Sequence, residues 1–134
     1  MQVQTYLSFD GRCEEAIEFY RKALGAEVAM LLRFKDSPDQ TVTPPGGGNK
    51  VMHSRFRIGE TTVLASDGRS GGGPKFEGFA LSLSLPNEAE ADRLFAKLAD
   101  GGKVQMPLTK TFFSPRFGML TDRFGVMWMV YVPQ

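Results

Sequence analysis

The sequence has one cysteine and one histidine in 134 residues, Cys13 and His53. A lone cysteine excludes an internal disulfide, and a lone histidine excludes a two-histidine zinc site within one chain. A dominant charge is missing too: 16 Lys+Arg stand against 15 Asp+Glu, for a net +1. A nucleic-acid binder shows a basic excess or a basic stripe, and this chain has neither. No apolar run approaches the roughly 20 residues that cross a bilayer. The opening Met1-Gln2-Val3-Gln4 lacks the charged-then-apolar pattern of a secretory signal. These absences predict a cytoplasmic protein without nucleic-acid or membrane partners.

Apolar residues make up 42% and charged residues 23%, close to the average for globular proteins, so a disordered or fibrous chain is excluded. Two stretches punctuate the chain. Asp36 to Asn49 carries prolines and three glycines and is not expected to hold a regular element. Asp67 to Pro74 reads the same way. The glycines at 46–48 and 71–73 lack the Lys-Ser/Thr ending of a phosphate-binding loop, so both stretches are linkers.

Between them the pattern repeats. Val3 to Phe9 alternates with the period of a half-buried strand. Glu14 to Leu24 switches to helical spacing, with Ala16, Phe19, Tyr20 and Ala23 on one stripe and Gly25 as the stop. Strand-like runs follow at 27–34, 51–58 and 61–66, with Gly59-Glu60 as a tight turn. The second half repeats this order. Phe79 to Leu85 alternates, and Asn87 followed by Glu90 marks a helix start. Ala91, Leu94, Phe95 and Leu98 form the stripe, and Gly101-Gly102 ends it. Strand-like runs come at 103–111, 117–121 and 126–132. Ala16 matches Ala91, Phe19 Leu94, Tyr20 Phe95 and Lys22 Lys97, each at the same offset. The pattern predicts an α+β protein of two βαβββ modules, about 1–67 and 77–132, in a single domain of 1–134. A curved mixed sheet with a central cleft is expected, and the functional groups belong there.

Strand parity nominates the cleft residues. If Leu7 and Phe9 face the helix, Gln4, Tyr6 and Ser8 face the cleft, and Ala80, Ser82 and Ser84 follow from Leu81 and Leu83. On the third strand Phe56 and Ile58 pack under the helix, which turns His53, Arg55 and Arg57 outward. Parity on the last strand is ambiguous because both sets are apolar, so Trp128 and Met129 both stay candidates. His53 reads as a hydrogen-bonding strand residue or as a pocket acid/base. Arg55 and Arg57 read as a solvated face or as an anion site. Cys13, at a helix start where a thiol pKa can fall, reads as structural for want of a partner histidine. Trp128 and the Phe112-Phe113 pair read as core or pocket wall. Met127 and Met129 suit an adaptable apolar wall or core filling.

The duplicated unit, with Tyr6-Leu-Ser-Phe-Asp-Gly-Arg-Cys-Glu-Glu-Ala-Ile-Glu-Phe-Tyr20, Val51-Met-His53 and Phe117-Gly-Met-Leu-Thr-Asp-Arg-Phe-Gly-Val-Met-Trp128, resembles the vicinal oxygen chelate (glyoxalase/bleomycin resistance/extradiol dioxygenase) superfamily. Within it the chain is similar to the phosphonate-operon-associated, PhnB-like branch, often labelled 3-demethylubiquinone-9 3-methyltransferase-like. The methyltransferase label finds no support, since no Gly-rich strand-to-helix turn suits a methyl-donor nucleotide. The resemblance implies a homodimer. It also implies a divalent-metal site in catalytic members, and here its places fall on Gln4, Leu64, Ala80 and Met129. One amide and three groups without a hard donor do not make such a site, and a one-residue slip on any strand does not rescue it.

No metal and no cofactor is therefore expected, and the leading reading is a metal-free small-molecule binding protein. Its ligand-binding residues would be Gln4, Tyr6, Ser8, His53, Arg55, Ser82, Trp128 and Met129. Two alternatives remain: a lyase, isomerase or dioxygenase with a rearranged metal site, and a metal-independent enzyme with His53, the only catalytic candidate, as general base.

Overall fold

The computed structural model describes residues 1–68 and 73–134. They fall into two compact units, Met1–Pro74 and Lys75–Gln134. The first contains β1 (Thr5–Ser8), α1 (Cys13–Leu24), β2 (Glu27–Arg33), β3 (Val51–Ile58) and β4 (Thr61–Ser66). The second contains β5 (Leu81–Ser84), α2 (Glu88–Ala99), β6 (Lys103–Thr109), β7 (Arg116–Thr121) and β8 (Met127–Val132). Each unit forms one four-stranded mixed sheet, ordered β1-β4-β3-β2 and β5-β8-β7-β6. The first strand of each unit pairs parallel to the last, and the remaining pairs are antiparallel. The α+β class and the duplicated βαβββ order match the sequence reading.

Each helix buries its stripe against its own sheet. In the first unit Ala16 and Tyr20 are fully buried, and the Tyr20 ring stacks on Phe56 of β3 with centroids 6.2 Å apart. Burial of such an aromatic is worth several times the energy of one hydrogen bond. In the second unit Ala91, Leu94, Phe95 and Leu98 do the same work. Phe95 lies so close to β7 that a Cβ added to Gly118 would stand 2.9 Å from its ring. That contact fixes the covered face, because cross-strand partners share a side. Gly118 partners Val130, and Leu120 partners Trp128. Helix α1 ends at Gly25, whose φ of 70° is left-handed and lets its N–H reach the Arg21 carbonyl.

The helix starts are built differently. On α2 the Asn87 side chain accepts a hydrogen bond from the Glu90 N–H at 2.9 Å, as the Asn-Glu spacing predicts. On α1 the capping position holds Arg12, whose side chain caps nothing. Asp67, just past β4, supplies the cap from across the unit. Its Oδ1 accepts from the N–H groups of Gly11 (2.7 Å) and Cys13 (2.8 Å), and its Oδ2 from that of Val51 (2.7 Å). The Asp67 residue is 4% exposed. It opens the stretch read as a linker from sequence, and that reading is corrected here.

Other departures are local. Val3 and Phe79, expected on buried strand faces, precede their strands and are 94% and 42% exposed. The 36–49 stretch does hold short elements, single 3-10 turns at Phe34–Asp36 and Gln40–Val42. The Gln40 amide ties them by donating to the carbonyls of Phe34, Lys35 and Ser37. Phe112 and Phe113 are not core: Phe112 is almost fully exposed, and Phe113 is half-exposed beside Phe117. Of the second linker, residues 69–72 lie outside the described residues. Among the described residues, no helix is long and apolar enough to cross a membrane.

Candidate functional site

With one face of each sheet under its helix, the other parity forms an open face. In the first unit the strand register aligns Tyr6, Leu64, Arg55 and Met30 as one row across β1, β4, β3 and β2. In the second the corresponding row is Ser82, Met129, Met119 and Met106. The same alternation places Ser8 and His53 on the open face of the first unit.

The Tyr6 hydroxyl lies 3.2 Å from Nδ1 of His53, and the rings stack with centroids 5.7 Å apart. With the phenol donating, Nδ1 accepts and the imidazole carries its hydrogen on Nε2. That leaves Nε2 as the polar end for a ligand. Arg57, two residues beyond Arg55, is held by Glu27 of β2 at 2.8 Å. Arg55 has no ion-pair or hydrogen-bond partner among the described residues.

A bulge sits beside Arg55. Val28 pairs with Phe56 and Met30 with Arg55, so Ala29 is the extra residue. Bulges bend a strand and re-aim the side chains around them. Here the bulge borders an open cleft of about 310 Å³ walled by Glu27, Val28, Ala29, Arg55, Phe56, Arg57 and Thr62, with the Glu27 carboxylate turned to Arg57. The second unit repeats the bulge, with Gln105 between Val104 and Met106. Period-2 reading cannot register an inserted residue, so sequence reasoning missed both bulges. The only signal would have been the offset between the two halves, compared strand by strand.

The structure therefore brings Tyr6, His53 and Arg55 together with Ser8 on one face, and Ser82 together with Met129 on another. Gln4 precedes β1 and is exposed. Trp128 is corrected: it is 3% exposed on the covered side, and its indole N–H donates to Asp122 at 2.9 Å. Adjacent residues on a strand face opposite ways, and the Leu120 register gives Trp128 to the core and Met129 to the open face. Arg116 lies on the covered side as well, where it pairs with Asp92 on α2 at 2.9 Å. Cys13 is fully buried, and its thiol is pushed up to about 12 by burial, against a smaller lowering from the Ser54 contact. It is not a nucleophile.

The places where the resemblance puts metal ligands were tested on donor chemistry. Leu64 and Met129 do lie at corresponding places in the two rows, and Ala80 precedes β5. None offers the oxygen, nitrogen or thiolate that a divalent cation takes. Among the described residues no three His, Cys, Asp or Glu side chains cluster as a metal site either. The residues do not fit a divalent centre.

Comparison with known proteins agrees with this architecture. The chain is 35% identical over 140 residues to protein YjdN of Escherichia coli (strain K12), covering 98% of this chain and 95% of that one. It is 43% identical to the crystal structure of protein PA1353 from Pseudomonas aeruginosa, with a TM-score of 0.88 over 100% of this chain and 98% of that one. A PhnB protein from Bacillus cereus is 29% identical with a TM-score of 0.80, covering 98% and 99%. The family model described as the Glyoxalase/Bleomycin resistance protein/Dioxygenase superfamily matches residues 2–130, and the chain belongs to that superfamily.

Proposed function

We propose that this protein binds a small organic molecule against its open sheet faces, without a catalytic metal. The observation that carries the reading is the Tyr6–His53 pair, a polar anchor held on an otherwise open strand surface. A tyrosine and a histidine that bond each other across strands 47 residues apart in sequence are pre-oriented, so a ligand meets a fixed donor and acceptor. Ser8 adds a hydroxyl on that face, while Ser82 beside Met129 offers a hydroxyl and an adaptable thioether on the other. Gln4 is the remaining polar member of the proposed set. Leucine and methionine where the superfamily's ligands are expected support binding without an ion.

The test is native mass spectrometry with elemental analysis on protein purified without chelator. Retained organic mass without stoichiometric metal is the expected result. One equivalent of a divalent ion, removed only by chelation, would overturn the metal-free reading. The implied homodimer belongs to the same proposal, supported by exposed Val104 and Phe112, and sedimentation velocity checks it.

The same pair favours a second reading, in which the bond runs the other way: Nδ1–H donates to the Tyr6 oxygen, and Nε2 of His53 is the general base toward a ligand proton. The two separate on His53→Ala. Turnover of the retained molecule would vanish under the second reading, whereas binding alone would weaken under the first.

A further inference from the structure

We propose that the bound molecule carries an oxyanion, a carboxylate or phosphate group, and that Arg55 holds it in the cleft beside the β2 bulge. The inference deepens the small-molecule reading and rests on it. Among the described residues every other arginine is ion-paired: Arg12, Arg21, Arg33, Arg57, Arg93, Arg116 and Arg123 each face a carboxylate. Arg55 stands on β3 between Leu64 of β4 and Met30 of β2, two neighbours that offer it nothing.

The fold does not ask for a cation there. In the second unit the same place in the row holds Met119, between Met129 and Met106. A guanidinium left unpaired between Leu64 and Met30, at the wall of an open cleft of about 310 Å³, is complementary to an oxyanion. Thr62 at the same wall supplies a hydroxyl, and Arg57 is already engaged by Glu27. The apolar neighbours suit the uncharged body of the molecule.

The test uses benzoate, phenyl phosphate and the neutral isostere benzamide, titrated into the ¹⁵N-labelled full chain while the amides of Ala29, Arg55 and Thr62 are followed. Either anion is expected to shift them, with benzamide at least tenfold weaker. The stronger anion tells carboxylate from phosphate. Arg55→Met, which copies the second unit, should weaken the anion at least tenfold with an unchanged amide spectrum elsewhere. Arg21→Met removes the same charge from α1 and should change affinity less than twofold.

Benzamide binding as tightly as benzoate would overturn the oxyanion while leaving a small-molecule face intact, as would anions that ignore Arg55→Met. No shift from any probe would remove the site itself. Concentration-dependent shifts of these amides without probe would show that a second copy covers the face, which also overturns the proposal.

Discussion

The two units follow one path with different chemistry at matching places. Helices α1 and α2 have the same length and begin 75 residues apart (13 and 88), yet one starts on buried Cys13 and the other on exposed Glu88. The second helix is capped from within by Asn87, and the first from outside by Asp67. An internal cap needs only local chain, whereas an external one ties the helix to β3 and β4. The open faces diverge as well. Tyr6, His53 and Arg55 make one polar, while Met106, Met119 and Met129 make the other soft and apolar. A duplicated scaffold can thus offer one recognising surface and one adaptable surface from a single topology.

The sharpest break of that comparison is at the two buried aspartates. Asp67 joins three segments distant in sequence, through the N–H groups of Gly11, Cys13 and Val51. Asp122 serves a local turn and the indole, taking the N–H groups of Phe124 and Val126 as well as that of Trp128. Hydrogen bonds to a charged acceptor are worth about 1.5–3 kcal/mol each, and truncation leaves the donors buried without partners. Asp67→Ala is expected to destabilise by about 4 kcal/mol or more and Asp122→Ala by less, because two of the three Asp122 donors, Phe124 and Val126, lie in its own turn. Urea denaturation measures both, and hydrogen exchange should show α1 losing protection in the first variant alone. Equal effects would mean that the remote cap adds nothing over a local one.

The buried thiol gives the next largest effect, and only the first unit has one. The native pKa of about 12 lies above the ordinary 9.0. The unfolded thiol therefore ionises first as pH rises, and the native state binds the extra proton. Stability from the neutral thiol is complete below pH 9 and falls by about 1.4 kcal/mol per pH unit above it, until the native thiol titrates. The stability of wild type relative to Cys13→Ala should therefore drop between pH 9 and 11 in urea melts. A constant difference would mean that the thiol is not shielded.

A third contrast lies at one register position. Ser54 pairs with Ala65 and donates its hydroxyl to the Ala65 carbonyl at 2.7 Å, whereas Gly118 pairs with Val130 and meets Phe95. Gly118→Ala crowds that ring and the Met106 carbonyl, and overpacking of this kind costs about 2 kcal/mol. Ser54→Ala loses the hydrogen bond to the Ala65 carbonyl and a weak 3.9 Å contact with the Cys13 thiol, together about 1 kcal/mol. Thermal melts that rank Ser54→Ala as the more damaging would show that Phe95 moves aside freely.

Much of this was legible because periodicity is written residue by residue. The stripe at 16, 19, 20 and 23 and its copy at 91, 94, 95 and 98 located both helices, and the Asn87–Glu90 spacing located a cap. The parity of Leu7 and Phe56 was enough to put Tyr6, His53 and Arg55 on one face. The role of Asp67 was not legible, because its partners at 11, 13 and 51 become neighbours only when β4 lies beside β1 and β3. Trp128 was undecided for a different reason. A strand apolar at every position carries no parity, and only the partner Leu120 under α2 resolves it. The bulges at Ala29 and Gln105 were hidden because an insertion shifts register without changing composition.

The smallest expected effect tests whether the open faces are interchangeable paint on a common frame. Arg55→Met gives the first unit the thioether row of the second, and Met119→Arg gives the second the guanidinium of the first. Both positions lie away from the helices, in rows whose neighbours are Leu64 and Met30 or Met129 and Met106. Neither swap opens a cavity or strands a buried group, so each should change stability by less than about 0.5 kcal/mol in chemical denaturation. Benzoate binding should weaken at least tenfold with the first swap and stay unchanged with the second. A loss of more than about 2 kcal/mol in Arg55→Met would mean that the guanidinium holds the strands together, and the polar face would then be a matter of folding rather than of recognition.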